Sequence, residues 1–284
     1  MNAEMLKFRA GVVRRIRSFF DARGFVEVET PVRIAAPAPE CHIDCPPVAT
    51  GGFLRASPEL QMKKLLAAGL ERIYQIGPCF RDGERGKRHN PEFTMIEWYR
   101  RHATYLDIQR DLEALFAELA KDGKCAGALR TVRVRDAYRQ WAGWDPWTEW
   151  DQDRFDFDMA AVIEPRLKEM GGGVFLTDYP VAAASLAVVS GGVAERWEFY
   201  FDGIELANAF TELCDAEEQR ARFAAARAER RSLGEADYPF DEEFLSLLPV
   251  VGSAAGVALG IDRLVMALSG ASSIGEVRVL SQHR

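Results

Sequence analysis

Two short segments, far apart along the chain, each carry half of what a bound polyphosphate requires. Residues Arg81 to Tyr99 read RDGERGKRHNPEFTMIEWY, and Gly256 to Arg263 read GVALGIDR. The first places a loop dense in Arg, Lys, His and Asn beside an apolar strand, so that several charge-assisted donors can converge on one anion. The second is a glycine-spaced strand that runs into a helix carrying an arginine in its first turn. A cation there opposes the helix dipole, and a bound anion or a stacked base would offset that cost. Together the two segments point to an adenine nucleotide, specifically ATP.

Periodicity supplies the frame. Met5, Phe8, Val12, Ile16 and Phe19 recur every three or four residues ahead of Gly24, which predicts one amphipathic helix over residues 3–23. A strand over Phe25 to Thr30 should follow, then a long Pro- and Gly-rich loop over residues 35–52 of the kind that often faces a substrate. Ser57 and Pro58 open a helix that Gly69 closes, and Tyr105 to Lys121 reads as another. Residues 136–173, rich in Trp and Asp, read as a helical insertion, and Asp215 to Gly234 as a capped, mostly solvated helix ending in Arg230 and Arg231. With no repeat and no interdomain linker, residues 1–284 are expected to form one domain.

Bulk composition narrows the partners. A formal charge of -7 weighs against a broad grip on RNA, although the Arg81 to Arg88 cluster is locally basic. No apolar stretch approaches the roughly 18 residues of a membrane span, and the N-terminus lacks the features of a signal peptide, so a cytoplasmic protein is expected. Five scattered cysteines fit reduced thiols. Cys41, His42, Asp44 and Cys45 lack a second ligand pair at zinc spacing.

Two hairpins carry the chemistry. Arg72 to Phe80 and Pro91 to Arg101 read as antiparallel strands, with Phe93, Met95, Glu97 and Tyr99 on one face. The second hairpin turns at Asp202-Gly203, the pattern of a type I′ turn. That turn pairs Phe201 with Ile204, Phe199 with Leu206 and Glu198 with Ala207, leaving Glu198 and Glu205 as diagonal neighbours roughly 7 to 8 Å apart. Two carboxylates so placed can share magnesium bridged to phosphate oxygens, or can simply repel each other in water. Asn208 and Glu212 have the opposite parity from Glu205, so all three reach one pocket only if the strand is bulged near Ala207. Asp262 is placed to cap the last helix, with Arg263 at its mouth.

These pieces, in this order, resemble the three signature motifs of the class II aminoacyl-tRNA synthetases, most closely the lysyl branch. The first motif is the long helix with GFVEVETP at Gly24 to Pro31, the second is IGPCFRDGERGKRHNPEFTMIEWY, and the third is GVALGIDRLVM. RHNPEFTM and IELANAFTELCDAEEQ are specific to the lysyl group, and the likeness spans nearly the whole chain. The resemblance implies an α+β fold, an antiparallel sheet flanked by helices, that makes an aminoacyl-adenylate and forms a homodimer through the first motif. It implies that Arg81 grips the α-phosphate and the substrate carboxylate, that Phe93 stacks on adenine, and that Arg263 covers the other side near the γ-phosphate. Asp82, Gly83, Glu84, His89, Asn90, Leu206 and Gly260 would complete the nucleotide site, with Glu198 and Glu205 as the Mg2+ carboxylates. Ser57, Pro58 and Glu59 would meet the substrate amine, and Glu97, Tyr99, Asn208, Glu212 and Ala258 the lysine side of the pocket.

Three departures sharpen the expectation. The synthetase-like core fills the chain, so an anticodon-binding domain has no place and tRNA is an unlikely acceptor. Ala258 stands where lysyl synthetases have glycine; the short lysyl-branch paralogues that modify translation elongation factor P have alanine in the same GVALG run. Its methyl reshapes the space beside the substrate's α-carbon, favouring β-lysine over α-lysine by about 1 to 3 kcal/mol. Gly83 replaces the family's glutamate two residues after the motif arginine, with Glu84 adjacent as a substitute. The expected activity is ATP-dependent transfer of a lysine-type amino acid to elongation factor P. The alternatives are a reduced synthetase charging tRNA or a small acceptor, and a silent amino-acid sensor.

Overall fold

The structure is a computed structural model, and it describes residues 3–41, 43–119 and 129–278. The first helix, α1 (Ala3–Asp21), stops where Gly24 adopts a φ of 72°, and a short strand β1 (Val26–Glu27) follows. A two-stranded ribbon, β2 (Arg33–Ile34) with β3 (Phe53–Leu54), closes the Pro-rich loop. Then come α2 (Glu59–Ala67), the hairpin β4 (Arg72–Phe80) and β5 (Glu92–Arg101), and α3 (Tyr105–Leu119). After β6 (Arg130–Arg133) the chain winds through α4 (Val134–Ala137), α5 (Gln152–Asp158) and α6 (Glu164–Met170), with two π-helical turns between them. The strands β7 (Gly173–Tyr179), β8 (Val189–Ser190), β9 (Val193–Phe201) and β10 (Ile204–Thr211) lead into α7 (Ala216–Ser232) and α8 (Glu242–Val251). The glycine-spaced β11 (Ala254–Gly260), α9 (Ile261–Ser269) and α10 (Ile274–Val277) end the described chain.

Nine strands form one mixed sheet in the order β1-β4-β5-β11-β10-β9-β7-β6, with β8 paired to β9. Only its outer pairs, β1 with β4 and β6 with β7, are parallel. Because strand side chains alternate, the sheet has two different faces. Tyr74, Ile96, Trp98, Phe199, Val257 and Leu259 bury one face beneath α1, α3 and α9, where Phe20, Leu112, Phe116 and Leu264 meet them. The opposite face carries Glu97, Tyr99, Glu198, Asn208, Gly256 and Ala258. Of the segment 136–173, expected as a helical insertion, residues 143–151 are not helical and Gly173 already belongs to β7; its helices pack Tyr138, Phe155 and Leu167 against Val174, Leu176 and Tyr200 on that second face. It therefore forms a side wall of the open face.

Local expectations are corrected in four places. The strand expected over Phe25 to Thr30 contracts to two residues: the Val28 amide still donates to the Tyr74 carbonyl at 2.8 Å, but by Thr30 the chain bonds instead to a side chain, the Thr30 hydroxyl donating to Gln75 Oε1 at 2.9 Å. Asp262 does not cap α9; Gly260 holds that position, and the buried Asp262 pairs with Arg9 of α1 at 2.5 Å and accepts from the Thr94 amide at 2.8 Å. The helix expected to be mostly solvated, α7, also buries Gln219, Phe223 and Arg230: Phe223 packs on Phe244 and Leu245, and Arg230 is fully buried and donates to the Glu40 carbonyl at 2.7 Å and the Asp44 carboxylate at 2.5 Å. The hairpin register also shifts, as described below. Cys41, Cys45, Cys79 and Cys214 are free thiols, as expected for reduced cysteines; His42 and Cys125 lie outside the described residues.

Candidate active site

Cross-strand pairing assembles the site in rows. Glu198 faces Asn208, Asn208 faces Ala258, and Ala258 faces Glu97, so four strands present one line of side chains to the open face. At a strand spacing of about 4.8 Å, that line runs about 14 Å. The adjoining row is Arg196, Phe210, Gly256 and Tyr99. A β-carbon on Gly256 would collide with the Tyr99 ring and come within 2.8 Å of Glu212 Oε1, so glycine is required for Tyr99 to lie across the strand. The resulting cavity, about 330 Å³, brings Arg81, Glu84, His89, Asn90, Phe93, Glu198, Glu205, Leu206, Gly260 and Arg263 together with Ser57, Glu59, Tyr99, Asn208, Glu212 and Ala258.

A bulge makes this possible. Asp202 and Gly203 hold φ values of 48° and 72°, as a type I′ turn requires, and Phe201 pairs with Ile204. Glu205 then pairs with Tyr200, but Phe199 pairs with Ala207 and Glu198 with Asn208. The expected Phe199–Leu206 and Glu198–Ala207 pairs are therefore wrong, because Leu206 is the extra residue of a β-bulge. Skipping it resets the parity, and Glu205, Asn208 and Glu212 all face the cavity. The diagonal relation of Glu198 to Glu205 survives.

Where a nucleotide was expected, Arg81 lies with its guanidinium 5.2 Å from the Phe93 ring centre and 3.5 Å from Glu84. Its Nε is buried with no hydrogen-bond partner among the described residues, an unused donor beside the cavity. Arg263 enters from the first turn of α9, donates to the Glu205 carboxylate at 3.1 Å and the Arg88 carbonyl at 3.3 Å, and touches His89 Nε2 at 2.6 Å. Burial, and next the Arg263 charge, lower the His89 pKa, which keeps its ring neutral. Asp82, Gly83 and Pro58 do not join the cavity wall, and the expected Glu97 does not either, lying fully buried behind Ser57 and Tyr99. Asp82 accepts from the Gly83 amide at 3.0 Å, and Gly83 has a φ of 74°, a turn conformation that disfavours a glutamate side chain. Pro58 is the N-cap residue of α2.

Beside the cavity lies a buried acid cluster. Glu97 is wholly buried and accepts from Ser57 Oγ at 2.6 Å and Tyr99 Oη at 2.7 Å. Lys63, 1% exposed, sits 2.5 Å from both Glu59 and Glu212. Burial alone would discharge Lys63, but Glu212 and Glu59 outweigh it and raise its pKa. Three carboxylates against one ammonium leave an excess of two negative charges, the number that a diammonium guest neutralises. Without a guest, burial pushes Glu97 up to about 7, with Glu59 adding to the shift, and pushes Glu212 up to about 8 against the pull of Lys63.

A pH dependence follows with a definite sign. The ammonium guest needs both carboxylates ionised, and the raised pKa values keep protons on them in the empty pocket at neutral pH. Binding therefore releases protons, and affinity for a lysine-type ligand falls from about pH 8 to pH 6 by up to about tenfold per unit for each group. Titration calorimetry in buffers of different ionisation enthalpy measures that release. A flat affinity over this range with no proton release would refute the acid-cluster reading.

Glu198 and Glu205 both reach the cavity from the β9–β10 hairpin. Glu198 meets Arg196 at 2.5 Å and Tyr200 Oη at 2.7 Å, while burial and then the Glu198 charge raise the Glu205 pKa. Glu164 of α6, which does not line the cavity, has its pKa raised by burial and then by the Glu205 and Glu198 charges. Two hard oxygen donors beside a phosphate-sized space fit Mg2+, which takes one or two carboxylates together with phosphate oxygens and water. Among the described residues no group of three His, Cys, Asp or Glu side chains could hold a metal by itself.

Sequence reasoning missed Lys63, Arg196 and Glu40, all of which meet this site. Lys63 recurs four residues after Glu59, a helical spacing that would have paired them. The other two had no local signal.

Comparison with known proteins agrees with this geometry. A family model described as tRNA synthetases class II (D, K and N) matches residues 1–284. Proteins named elongation factor P–(R)-beta-lysine ligase are similar over most of the chain. That of Proteus mirabilis is 36% identical, covering 99% of this chain and 96% of its own length. That of Mannheimia succiniciproducens is 36% identical over 95% of this chain and 92% of its own. The Vibrio cholerae protein is 36% identical over 96% and 93%, respectively. With the sheet, the paired arginines and the motifs in place, this chain belongs to the class II tRNA synthetase family.

Proposed function

We propose that this chain is an amide-forming ligase that activates a lysine-type amino acid, β-lysine in preference to α-lysine, with ATP and passes the acyl group to a lysine of translation elongation factor P. The carrying observation is the single row Glu198–Asn208–Ala258–Glu97, which joins the phosphate grip of Arg81 and Arg263 to an acid cluster sized for two amines. The names of the curated relatives support the same acceptor and substrate.

The chemistry needs no side-chain nucleophile. The substrate carboxylate attacks the α-phosphorus while Arg81 offsets charge there and Arg263 offsets charge on the departing pyrophosphate. Glu198 and Glu205 would hold Mg2+, which supplies further charge neutralisation at the phosphates. Glu59, Glu97 and Glu212 hold the amines and keep the carbonyl aligned. Glu84 takes the place of the glutamate that Gly83 lacks. A cytoplasmic homodimer through the first motif, with no role for tRNA, completes the reading. Among the described residues no helix is long and apolar enough to cross a membrane.

Pyrophosphate exchange with α-lysine and β-lysine, followed by transfer of labelled β-lysine to elongation factor P or to tRNA, tests the proposal. Label confined to tRNA would reject it. The Ala258→Gly variant should shift the ratio of kcat/KM for β-lysine over α-lysine by about 5- to 150-fold toward α-lysine, the worth of one methyl beside the reacting centre. An unchanged ratio would remove Ala258 from the specificity account.

A further inference from the structure

One carboxylate at the cavity has no assigned task. Glu40 lies on the Pro-rich loop, partly buried, and lines the same cavity as Arg81, Ser57, Glu59 and Arg196. Its carboxylate makes no hydrogen bond or ion pair among the described residues. Its backbone, in contrast, is held firmly. The buried Arg230 of α7 donates to the carbonyls of Glu40 at 2.7 Å and Ile43 at 3.2 Å and pairs with Asp44, so the loop is clamped from behind while its acid faces the cavity. A buried arginine spent on loop carbonyls is a costly way to order a segment with no role.

Charge counting separates Glu40 from the amine cluster. Glu59, Glu97 and Glu212 less Lys63 already balance two ammonium groups. Glu40 is surplus to that balance and lines the same cavity as Arg81 and Arg263. The groups that face it are Glu59 and Lys63 from α2, Arg81 from the motif loop and Arg196 from β9, with Cys41 and Cys45 on its own loop. Burial, and next the Glu59 charge, raise its pKa above the ordinary carboxylate value, bringing it closer to that of a useful base.

Resting on the function proposed above, we infer that Glu40 is the catalytic base that accepts the proton from the acceptor amine. The acceptor lysine, first deprotonated from ammonium to neutral amine by solvent, attacks the carbonyl carbon of the adenylate with its nitrogen lone pair. The new C–N bond forms, the N–H proton passes to the Glu40 carboxylate, and the C–O bond to phosphate breaks with its electron pair leaving on AMP. Glu40 then returns the proton to water.

The test separates the two half-reactions in the full-length enzyme. Wild type and Glu40→Gln are loaded with ATP and labelled β-lysine, and single-turnover transfer to elongation factor P is followed across pH beside pyrophosphate exchange and capture of the adenylate by hydroxylamine. In Glu40→Gln, transfer is expected to fall about 10²-fold further than either exchange or hydroxylamine capture, and to lose the limb of the pH profile that rises as a carboxylate ionises. Equal losses in all three assays would assign Glu40 to amine binding or structure and overturn the inference. Wild-type transfer rates in the variant would overturn it as well. A wild-type enzyme that exchanges pyrophosphate with neither lysine isomer would overturn the proposed function itself, and this inference with it.

Discussion

Replacing Arg81 with alanine is expected to lower ATP–pyrophosphate exchange by about 10²- to 10³-fold while leaving the fold intact, because the side chain acts mainly on charge that develops at phosphorus. Within the free protein Arg81 makes one long ion pair, 3.5 Å to Glu84, and rests over Phe93. Losing such a partly exposed pair costs about 1 kcal/mol or less. Its backbone amide, which donates to the Pro91 carbonyl at 2.9 Å and closes the motif hairpin, is unaffected by the substitution. Arg81→Lys should recover little, since one ammonium cannot reproduce a fork of donors to two anions. Exchange at more than about a tenth of the wild-type rate, with an unchanged melting curve, would show that the unused Nε donor is not aimed at the reacting phosphate.

Replacing Lys63 with methionine is expected to produce the largest stability loss, about 3 to 5 kcal/mol near pH 9, where Glu212 is ionised in the wild type, in urea unfolding. Methionine fills much of the same channel, so the loss is mostly electrostatic: Glu59 and Glu212, each 2.5 Å from the ammonium, are left buried with no counter-charge. Both can escape only by taking up protons. The deficit should therefore shrink as pH falls through about 8, the value to which Glu212 is already pushed with Lys63 present, and be smaller still near pH 5. A destabilisation below about 1 kcal/mol at pH 9, or one that is the same at pH 9 and pH 5, would show that the triad is not ionised as described.

The elements were largely legible because their signals are local. The 3.6-residue recurrence of Val12, Ile16 and Phe19 and the left-handed Gly24 define α1. Asp202-Gly203 specifies its turn, and alternation along β5 puts Phe93, Met95, Glu97 and Tyr99 on one face. Even the bulge at Leu206 was implied, since Glu205, Asn208 and Glu212 could not otherwise share a pocket. Its exact register was not, because one skipped residue costs little locally and is chosen by the pairing of β10 with β11 on its other edge.

Asp262 shows the limit most clearly. Its spacing reads as a helix cap, yet its carboxylate is consumed by Arg9, 253 positions away in sequence, and by the Thr94 amide. Arg230 reads as a solvated helix end and is instead a buried clamp on the Glu40 loop. By itself the chain determined its helices, its turns and which strand residues share a side, since these follow from backbone preferences within a few residues and from the two-residue strand period. Which charges meet in one dry volume was decided only by the folded structure, because Coulomb energy and desolvation depend on distance and burial in space. Lys63 between Glu59 and Glu212, and Glu40 without a partner beside Arg81, exist as chemistry only once sheet, loop and α2 have closed around them.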